Sequence, residues 1–254
     1  MRVLILGGTS EANALAARLR RETPNADIIL SLAGRTREPD LPDRVPVRSG
    51  GFGGADGLAR YLRDEKIAVL LDATHPFATR IADNAAIAAT AEGIPHTKLC
   101  RAPWQPKAGE QWLMVASERE AATALPAGAR PFIALGRQYL NAFDGRTDLR
   151  PVLRMIEQPD SPLGFPADII RGKPGPTAAA EAELFSAHDI THLVCRNSGG
   201  ARSYAKVEAA RALGIPVVMI ARPAAQGARF TLDSIDAAFA WVADHLDRTL
   251  KVVG

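Results

Sequence analysis

Arg2-Val-Leu-Ile-Leu-Gly7-Gly8-Thr9-Ser10-Glu11-Ala12 joins a short apolar run to a helical pattern through two glycines and two hydroxyl side chains. A nucleotide-binding βαβ unit begins in this way, because glycine lets the backbone approach a pyrophosphate and the helix start supplies free N–H groups. The usual GxGxxG spacing would place glycine where Thr9 and Ala12 stand. We interpret the segment as a phosphate-binding turn in which the Thr9 and Ser10 hydroxyls replace part of the glycine contact. An ordinary strand-to-helix turn with Ser10 as its N-cap is the alternative.

The composition is typical of a globular protein with room for two domains. The 254 residues are 47% hydrophobic and 23% charged. The first apolar run, residues 3–6, is too short for a signal peptide, and no run approaches the ~20 apolar residues of a membrane span. Cys100 and Cys195 form no CxxC pair, so neither a disulfide framework nor a thiolate metal site is indicated. We expect a cytoplasmic protein without membrane partners.

The charge distribution favours a small anionic ligand over nucleic acid. The net charge is +3, and no block of arginine and lysine marks a nucleic-acid surface. His188 and His192 straddle a predicted helix-to-strand transition, so we expect no metal site there. The sequence is compatible with a monomer and does not define the oligomeric state.

The chain alternates apolar strands with helical segments, which predicts parallel sheets covered on both faces. In the first half the predicted strands are 3–6, 28–32, 68–71 and 95–99, and the predicted helices are 11–21, 55–64 and 78–91. In the second half the predicted strands are 112–115, 132–135, 152–155, 193–195 and 217–220, and the helices are 117–125, 177–187, 203–213 and 234–246. Residues 158–176 contain five prolines and three glycines and are predicted to form a surface loop.

A repeated order of elements in the two halves of the sequence indicates two similar lobes. In each half a strand, a polar loop and a helix lead to Gly-Ile-Pro and a new strand, at residues 93–95 and 214–216. We therefore predict an α/β protein with two Rossmann-like lobes, an NADP-binding domain over 1–100 and a substrate-binding domain over 111–254, joined by a linker at 101–110. Ligands of open parallel sheets lie beyond the carboxyl ends of the strands, so we expect the active site in the cleft between the lobes.

The end of the second predicted strand favours NADPH over NADH. NAD-binding units usually carry an acid there for the ribose hydroxyls, whereas this chain reads Ser31-Leu-Ala-Gly34-Arg35-Thr36. Guanidinium binds phosphate bidentately, so we predict that Arg35 binds the 2′-phosphate. Ser31, Gly34 and Thr36 are predicted to contact the cofactor beside it. A solvated turn is the alternative for this segment.

Two further loops in the first half are candidates for the site. The run Ser49-Gly50-Gly51-Phe52-Gly53-Gly54 suggests close backbone approach to a ligand, and we assign Gly51, Phe52 and Gly53 to the cofactor; a flexible linker is the alternative. Asp72-Ala73-Thr74-His75-Pro76-Phe77 follows a fully apolar strand and should lie near the nicotinamide, with Thr74 contacting the cofactor. His75 can transfer a proton near pH 7. Helix capping by Asp72 and Thr74, and a purely structural histidine, are the alternatives.

Basic and polar groups follow the predicted strands of the second half. We assign them to a carboxylate-rich substrate, although each alone could be a solvated surface group. They are Arg137 and Gln138, Arg171 and Lys173, and the run Arg196, Asn197, Ser198, Gly199 and Gly200, with Lys206 in the next helix.

Four segments, in this order along the chain, resemble the precorrin-6A reductase family. They are Gly7-Gly8-Thr9-Ser10-Glu11, Ser49-Gly50-Gly51-Phe52-Gly53, Asp72-Ala73-Thr74-His75-Pro76-Phe77 and Asn197-Ser198-Gly199-Gly200. The resemblance covers essentially the whole chain, and the Asp-Ala-Thr-His-Pro-Phe segment is its most specific part.

The resemblance implies an NADPH-dependent oxidoreductase of cobalamin (vitamin B12) biosynthesis that acts on a CH–CH group. Such an enzyme reduces one double bond of precorrin-6A to give precorrin-6B, and its substrate is an anionic tetrapyrrole whose carboxylates would explain the basic groups. Hydride addition leaves electron density that a proton must quench. Asp72, His75 and Lys206 are our candidates for positioning or proton delivery, and tautomerisation of the macrocycle itself is the alternative.

Three other functions compete with this one. A uroporphyrinogen-III synthase type of enzyme pairs two α/β lobes around a tetrapyrrole without a nucleotide, but leaves Arg35 and the first glycine turn without a role. A non-enzymatic dinucleotide sensor would need the first lobe's motifs and not the second basic cluster. A short-chain reductase would use a Tyr-x-x-x-Lys pair, which is not placed after a fourth strand here.

Overall fold

The computed structural model describes residues 1–34, 41–155, 162–172, 174–201, 203–223 and 231–253, with side chains through residue 247. The chain divides into two compact units, Met1–Arg101 with Ala224–Gly254, and Ala102–Pro223. Elements are numbered in chain order across both units.

The first unit is a six-stranded sheet in the order β12-β5-β4-β1-β2-β3, in which every pair is parallel. Its strands are β1 (Arg2–Leu6), β2 (Asp27–Leu32), β3 (Val47–Ser49), β4 (Ile67–Asp72), β5 (His96–Leu99) and β12 (Thr231–Leu232). Its helices are α1 (Ser10–Glu22), α2 (Ala55–Asp64), α3 (Thr79–Glu92) and α7 (Ile235–Val253).

The apolar run of β1 is continuous because both of its faces are covered. Val3 and Ile5 pack in one cluster with residues of α1 and α7, whereas Leu4 and Leu6 pack in another with residues of α2 and α3. All four side chains are at most 1% exposed. At about 25 cal/mol per Å² of buried apolar surface, these two layers are the main source of the unit's stability.

The second unit is also a six-stranded, all-parallel sheet, in the order β6-β11-β10-β7-β8-β9. Its strands are β6 (Trp112–Val115), β7 (Pro131–Ala134), β8 (Val152–Met155), β9 (Asp168–Arg171), β10 (His192–Arg196) and β11 (Val217–Ile220). Its helices are α4 (Glu118–Ala124), α5 (Ala178–Ala187), α6 (Ala205–Ala212) and a 3-10 helix over Arg137–Phe143.

The two units share one strand order, which confirms the predicted α/β class with two parallel, Rossmann-like sheets. Counted from β1 or from β7, both sheets run 3-2-1-4-5 with a sixth strand at the edge. The order therefore reverses between β1 and β4 and between β7 and β10, where ligands of such sheets bind. The two Gly-Ile-Pro segments also have the same local structure. Gly93 and Gly214 both follow the last turn of a helix at positive φ, 65° and 66°.

The structure differs from the predicted organisation at three places. Residues 231–253 do not extend the second domain, because β12 pairs with β5 and α7 packs on α1. Most of the predicted linker 101–110 belongs to the second unit, where Trp104 joins the core. The predicted surface loop 158–176 contains β9, which pairs with β8.

None of the helices in the described part of the chain has the length and apolar character that crossing a bilayer requires. Within the same residues, no group of three or more His, Cys, Asp and Glu side chains is arranged to hold a metal ion.

Candidate functional site

The turn after β1 presents its backbone openly at the point where the strand order reverses. Gly8 has φ +111°, and a Cβ added there would meet no atom within 4 Å, so the backbone is accessible. Gly7 is constrained by packing instead, since an added Cβ would lie 2.6 Å from Leu30 Cδ1. The Gly7 N–H donates to the Ser31 carbonyl at 2.8 Å, which anchors the turn to β2.

Thr9, and not Ser10, caps α1. The Thr9 hydroxyl accepts a hydrogen bond from the Ala12 N–H at 3.1 Å and donates one to the Ala73 carbonyl at 2.8 Å. The second bond joins the turn after β1 to the loop after β4. The alternative interpretation of this turn, with Ser10 as the N-cap, is therefore wrong about the capping residue. It also places the Thr9 hydroxyl within the protein's own hydrogen bonds, while Ser10 remains exposed.

Glu11 lies in the first turn of α1, where a carboxylate is stabilised by the helix dipole. Its carboxylate is 2.6 Å from the Arg101 guanidinium. Burial raises the pKa of Glu11, but the Arg101 and other hydrogen bonds outweigh it, so the pKa lies below its ordinary value of 4.5. The Glu11 carboxylate at this helix start is therefore compensated by a guanidinium of the same unit.

Arg48 was not among the predicted site residues, although it connects two of the predicted segments, the end of β2 and the glycine run. It stands opposite Ser31 in the β2–β3 register and donates to Ser31 Oγ at 3.1 Å. It also donates to the carbonyls of Gly50 and Gly51, at 2.7 and 2.8 Å, and stacks 3.7 Å from the centre of the Phe52 ring. The available signal was an arginine directly before the glycine run.

The glycine run adopts a backbone that few other residues would tolerate. Gly50, Gly53 and Gly54 have φ of +113°, +83° and +97°, and an added Cβ would meet nothing within 4 Å at any of them. Gly57, in α2, is held by contact, because its Cβ would lie 1.8 Å from the Phe52 carbonyl oxygen. Gly34 precedes Arg35 and Thr36, which lie outside the described residues, and has φ +72°.

Asp72 is fully buried at the end of β4 and carries three hydrogen bonds. Oδ1 accepts from the Thr74 N–H at 2.9 Å and from its hydroxyl at 2.6 Å, while Oδ2 accepts from Lys98 Nζ at 2.9 Å. The side chains of Asp72 and Lys98 are 1% and 11% exposed. Lys98 was missed by sequence reasoning, and the available signal was a lysine inside a predicted strand, residues 95–99.

His75 follows this network and is half-buried. Its Nδ1 accepts a hydrogen bond from the Phe77 N–H at 3.3 Å, so the neutral ring carries its proton on Nε2. The loop from 72 to 77 is thus held from both ends, by Asp72 on one side and by the Phe77 backbone on the other.

In the second unit, Asn197 fastens the start of the unit to the loop after β10. Its amide oxygen accepts from the Trp104 N–H at 2.7 Å, and its amide nitrogen donates to the Trp104 carbonyl at 3.0 Å. Arg222, also missed, donates to the carbonyls of Asn197 and Ser198 at 2.8 and 3.0 Å. Gly199 and Gly200 follow at positive φ, 69° and 79°.

Arg196 and Lys206 are engaged by neighbouring residues. The Arg196 guanidinium is ion-paired with Glu118 and stacks 3.4 Å from the centre of the Tyr139 ring. Lys206 Nζ donates to the Ser203 carbonyl at 2.6 Å and lies 5.3 Å from the Trp104 ring centre. Arg196 therefore contributes a compensated charge rather than a bare one.

The remaining predicted groups of the second unit lie at different distances from this loop. Arg137 and Gln138 are exposed after β7, which is next to β10. Arg171 is exposed on β9, three strands from β10, which corresponds to about 14 Å. The structure therefore does not bring Arg171 to Arg196. Lys173 lies outside the described residues.

Comparison with known proteins gives consistent matches along the whole chain. Residues 2–243 match the family model described as precorrin-6x reductase CbiJ/CobK. The chain is 47% identical to the precorrin-6A reductase of Rhodococcus erythropolis, over 95% of this chain and 97% of the relative, and 41% identical to that of Rhodobacter capsulatus, over 96% of each. A solved structure of CobK precorrin-6A reductase superimposes with a TM-score of 0.89 at 39% identity, covering 96% of this chain and 97% of the other.

Proposed function

The chain belongs to the precorrin-6x reductase family, and from that premise we propose that it reduces one double bond of precorrin-6A with hydride from NADPH. The product is precorrin-6B (dihydro-precorrin-6A), an intermediate of cobalamin biosynthesis. The observation that carries this proposal is the meeting of the Gly8 turn and the Asp72–Phe77 loop at the reversal of strand order in the first sheet. The reaction class is that of an oxidoreductase acting on a CH–CH group.

The residues of the first unit fit a dinucleotide. When bound, NADPH supplies the hydride, and this chain supplies the binding surface and its geometry. The open backbone at Gly8 and the N-terminus of α1, with Ser10 and Glu11 in its first turn, suit a pyrophosphate. Ser31 and the glycine run suit the adenosine end, with Gly51, Phe52 and Gly53 forming its wall. Thr74 and His75 remain for the nicotinamide end.

Asp72 acts as a positioning residue in this proposal. Its carboxylate is ion-paired with Lys98 and accepts both Thr74 hydrogen bonds, so it holds the loop that carries His75. His75 can offer its Nε2 proton to electron density that develops on the reduced macrocycle. Lys206 is the corresponding candidate in the second unit, with an ammonium that donates to Ser203 and retains further protons.

The second unit contributes groups for the carboxylates of the substrate. Arg137, Gln138 and Arg171 are exposed. Gly199 and Gly200 both have positive φ, a backbone conformation in which successive N–H groups can bind an anion. Arg196, Asn197 and Ser198 shape this loop through their contacts with Glu118, Trp104 and Arg222. We assign Lys173 to the same task, as part of the basic segment that follows β9.

A fluorescence titration with NADPH and NADH tests the cofactor side of this proposal. We expect tight NADPH binding, weaker NADH binding, and loss of the preference in Arg35→Ala; Arg60→Ala, an exposed arginine of α2, is the matched control. The titration is followed by anaerobic turnover of precorrin-6A, monitored by NADPH consumption and by the mass of the product. A folded protein that binds neither cofactor would contradict the proposal and favour a tetrapyrrole enzyme without a nucleotide.

A further inference from the structure

Among the residues that the structure describes, the guanidinium of Arg48 is held by neutral acceptors. Among the described residues its partners are the Ser31 hydroxyl and the carbonyls of Gly50 and Gly51, and no carboxylate pairs with it. The other half-buried arginines that the structure describes in the first unit are each paired with a carboxylate, Arg2 with Glu65, Arg18 with Asp236 and Arg101 with Glu11. A partly buried positive charge without a counter-charge is costly unless an anion joins it.

The location of this charge identifies the kind of anion. Arg48 is on β3, directly opposite Ser31 at the carboxyl end of β2. In a sheet of this order, the ribose of the adenosine half lies at the end of the second strand, where an acid selects the 2′-hydroxyl and a basic residue selects the 2′-phosphate. In this chain the position of the acid is occupied by the uncharged Ser31, and Arg48 beside it contributes a positive charge.

The orientation of the guanidinium is also restricted. Two glycine carbonyls hold one edge, and the Phe52 ring lies against its face at 3.7 Å, with Tyr61 at 5.1 Å. Three of its five N–H groups are used by Ser31, Gly50 and Gly51 among the described residues, which leaves donors for a phosphate oxygen. Because the plane is already fixed, little side-chain entropy is lost when the anion binds.

We propose that Arg48 is a specificity-determining residue that contacts the 2′-phosphate of NADPH and so selects NADPH over NADH. The inference rests on the proposed function, in that it requires a dinucleotide in the first unit. In this proposal Arg48 is a second, pre-oriented cation at the 2′-phosphate site to which the sequence assigns Arg35. Charge-assisted hydrogen bonds of this kind correspond to roughly tenfold or more in affinity.

The test compares ligands that differ only in the 2′-phosphate. Wild type, Arg48→Met, Arg48→Lys and the control Arg60→Met are titrated with NADPH and NADH by fluorescence, and with 2′,5′-ADP and 5′-AMP by calorimetry. We expect Arg48→Met to weaken NADPH and 2′,5′-ADP by about tenfold or more and NADH and 5′-AMP by less than threefold. Arg48→Lys keeps the charge and should retain part of the preference, and Arg60→Met should bind as wild type does.

Two results separate failure of this inference from failure of the proposed function. If wild type prefers NADPH but Arg48→Met weakens all four ligands equally, Arg48 only holds the glycine loop and the inference is overturned. If wild type binds none of the four, the proposed function itself fails. Circular dichroism of each variant confirms that the compared proteins are folded.

Discussion

Replacing Lys98 by methionine should destabilise the first unit strongly, because it leaves the Asp72 carboxylate buried without a counter-charge. The Nζ–Oδ2 distance is 2.9 Å, and the two side chains are 11% and 1% exposed. At that distance the charges attract by about 6 kcal/mol for an effective dielectric of about 20. Removing one partner of a buried ion pair costs about 3–5 kcal/mol, which is consistent with that attraction.

The measurement is the free energy of unfolding from urea titration followed by circular dichroism, supported by thermal melting. A loss of about 3–5 kcal/mol corresponds to a fall in Tm of roughly 6–20 °C. The matched control is Arg80→Met, which removes an exposed charge from α3 and should change stability by less than about 0.5 kcal/mol.

A double-mutant cycle distinguishes the ion pair from the lysine's packing. Asp72→Asn keeps an acceptor for the Thr74 hydrogen bonds, so the double variant of Asp72→Asn and Lys98→Met has no uncompensated charge. We expect the double variant to be more stable than Lys98→Met alone by about 1 kcal/mol or more. If the two substitutions add without coupling, or if Lys98→Met is as stable as wild type, the role assigned to the pair is wrong.

Three further substitutions test the loops around this pair. Thr9→Val removes both hydrogen bonds of the α1 cap and should cost about 2–4 kcal/mol in urea unfolding, whereas Ser10→Ala should be nearly neutral; equal effects would contradict the assigned cap. Because Arg101 and other hydrogen bonds lower the pKa of Glu11, wild type should lose its stability advantage over Glu11→Gln as the pH falls below 4.5, as unfolding titrations from pH 7 to 3 would measure; an advantage that persisted to pH 3 would refute the assignment. His75→Ala should lower turnover of precorrin-6A, and activity within about threefold of wild type would remove His75 from the chemistry.

The long strands were predictable from sequence because both of their faces are buried. The edge strands β3, β9 and β12 were not, since they expose much of their surface and carry no continuous apolar run. The fourth edge strand, β6, was predicted because Trp112–Val115 is such a run. The return of β12 to the first sheet depends on a pairing with β5 more than a hundred residues away, and no local pattern encodes that partner. For the same reason the second domain was predicted to extend to residue 254.

The loops and strand ends of the candidate site were predictable from sequence, but the hydrogen-bond and ion-pair partners of each charged side chain were not. Residue type and strand order place Asp72, Arg196 and Glu11 at or just beyond the carboxyl ends of strands. Whether a charged side chain there is available to a ligand depends on whether it is ion-paired with a residue far away in the sequence.

Arg196 is paired with Glu118, 78 residues earlier, and Glu11 with Arg101, 90 residues later. Those pairs assign two conspicuous charges to the protein's own structure. In the first unit, Arg48, which sequence reasoning passed over, is the partly buried cation that the described residues leave uncompensated, and that imbalance makes it the stronger candidate for binding an anion.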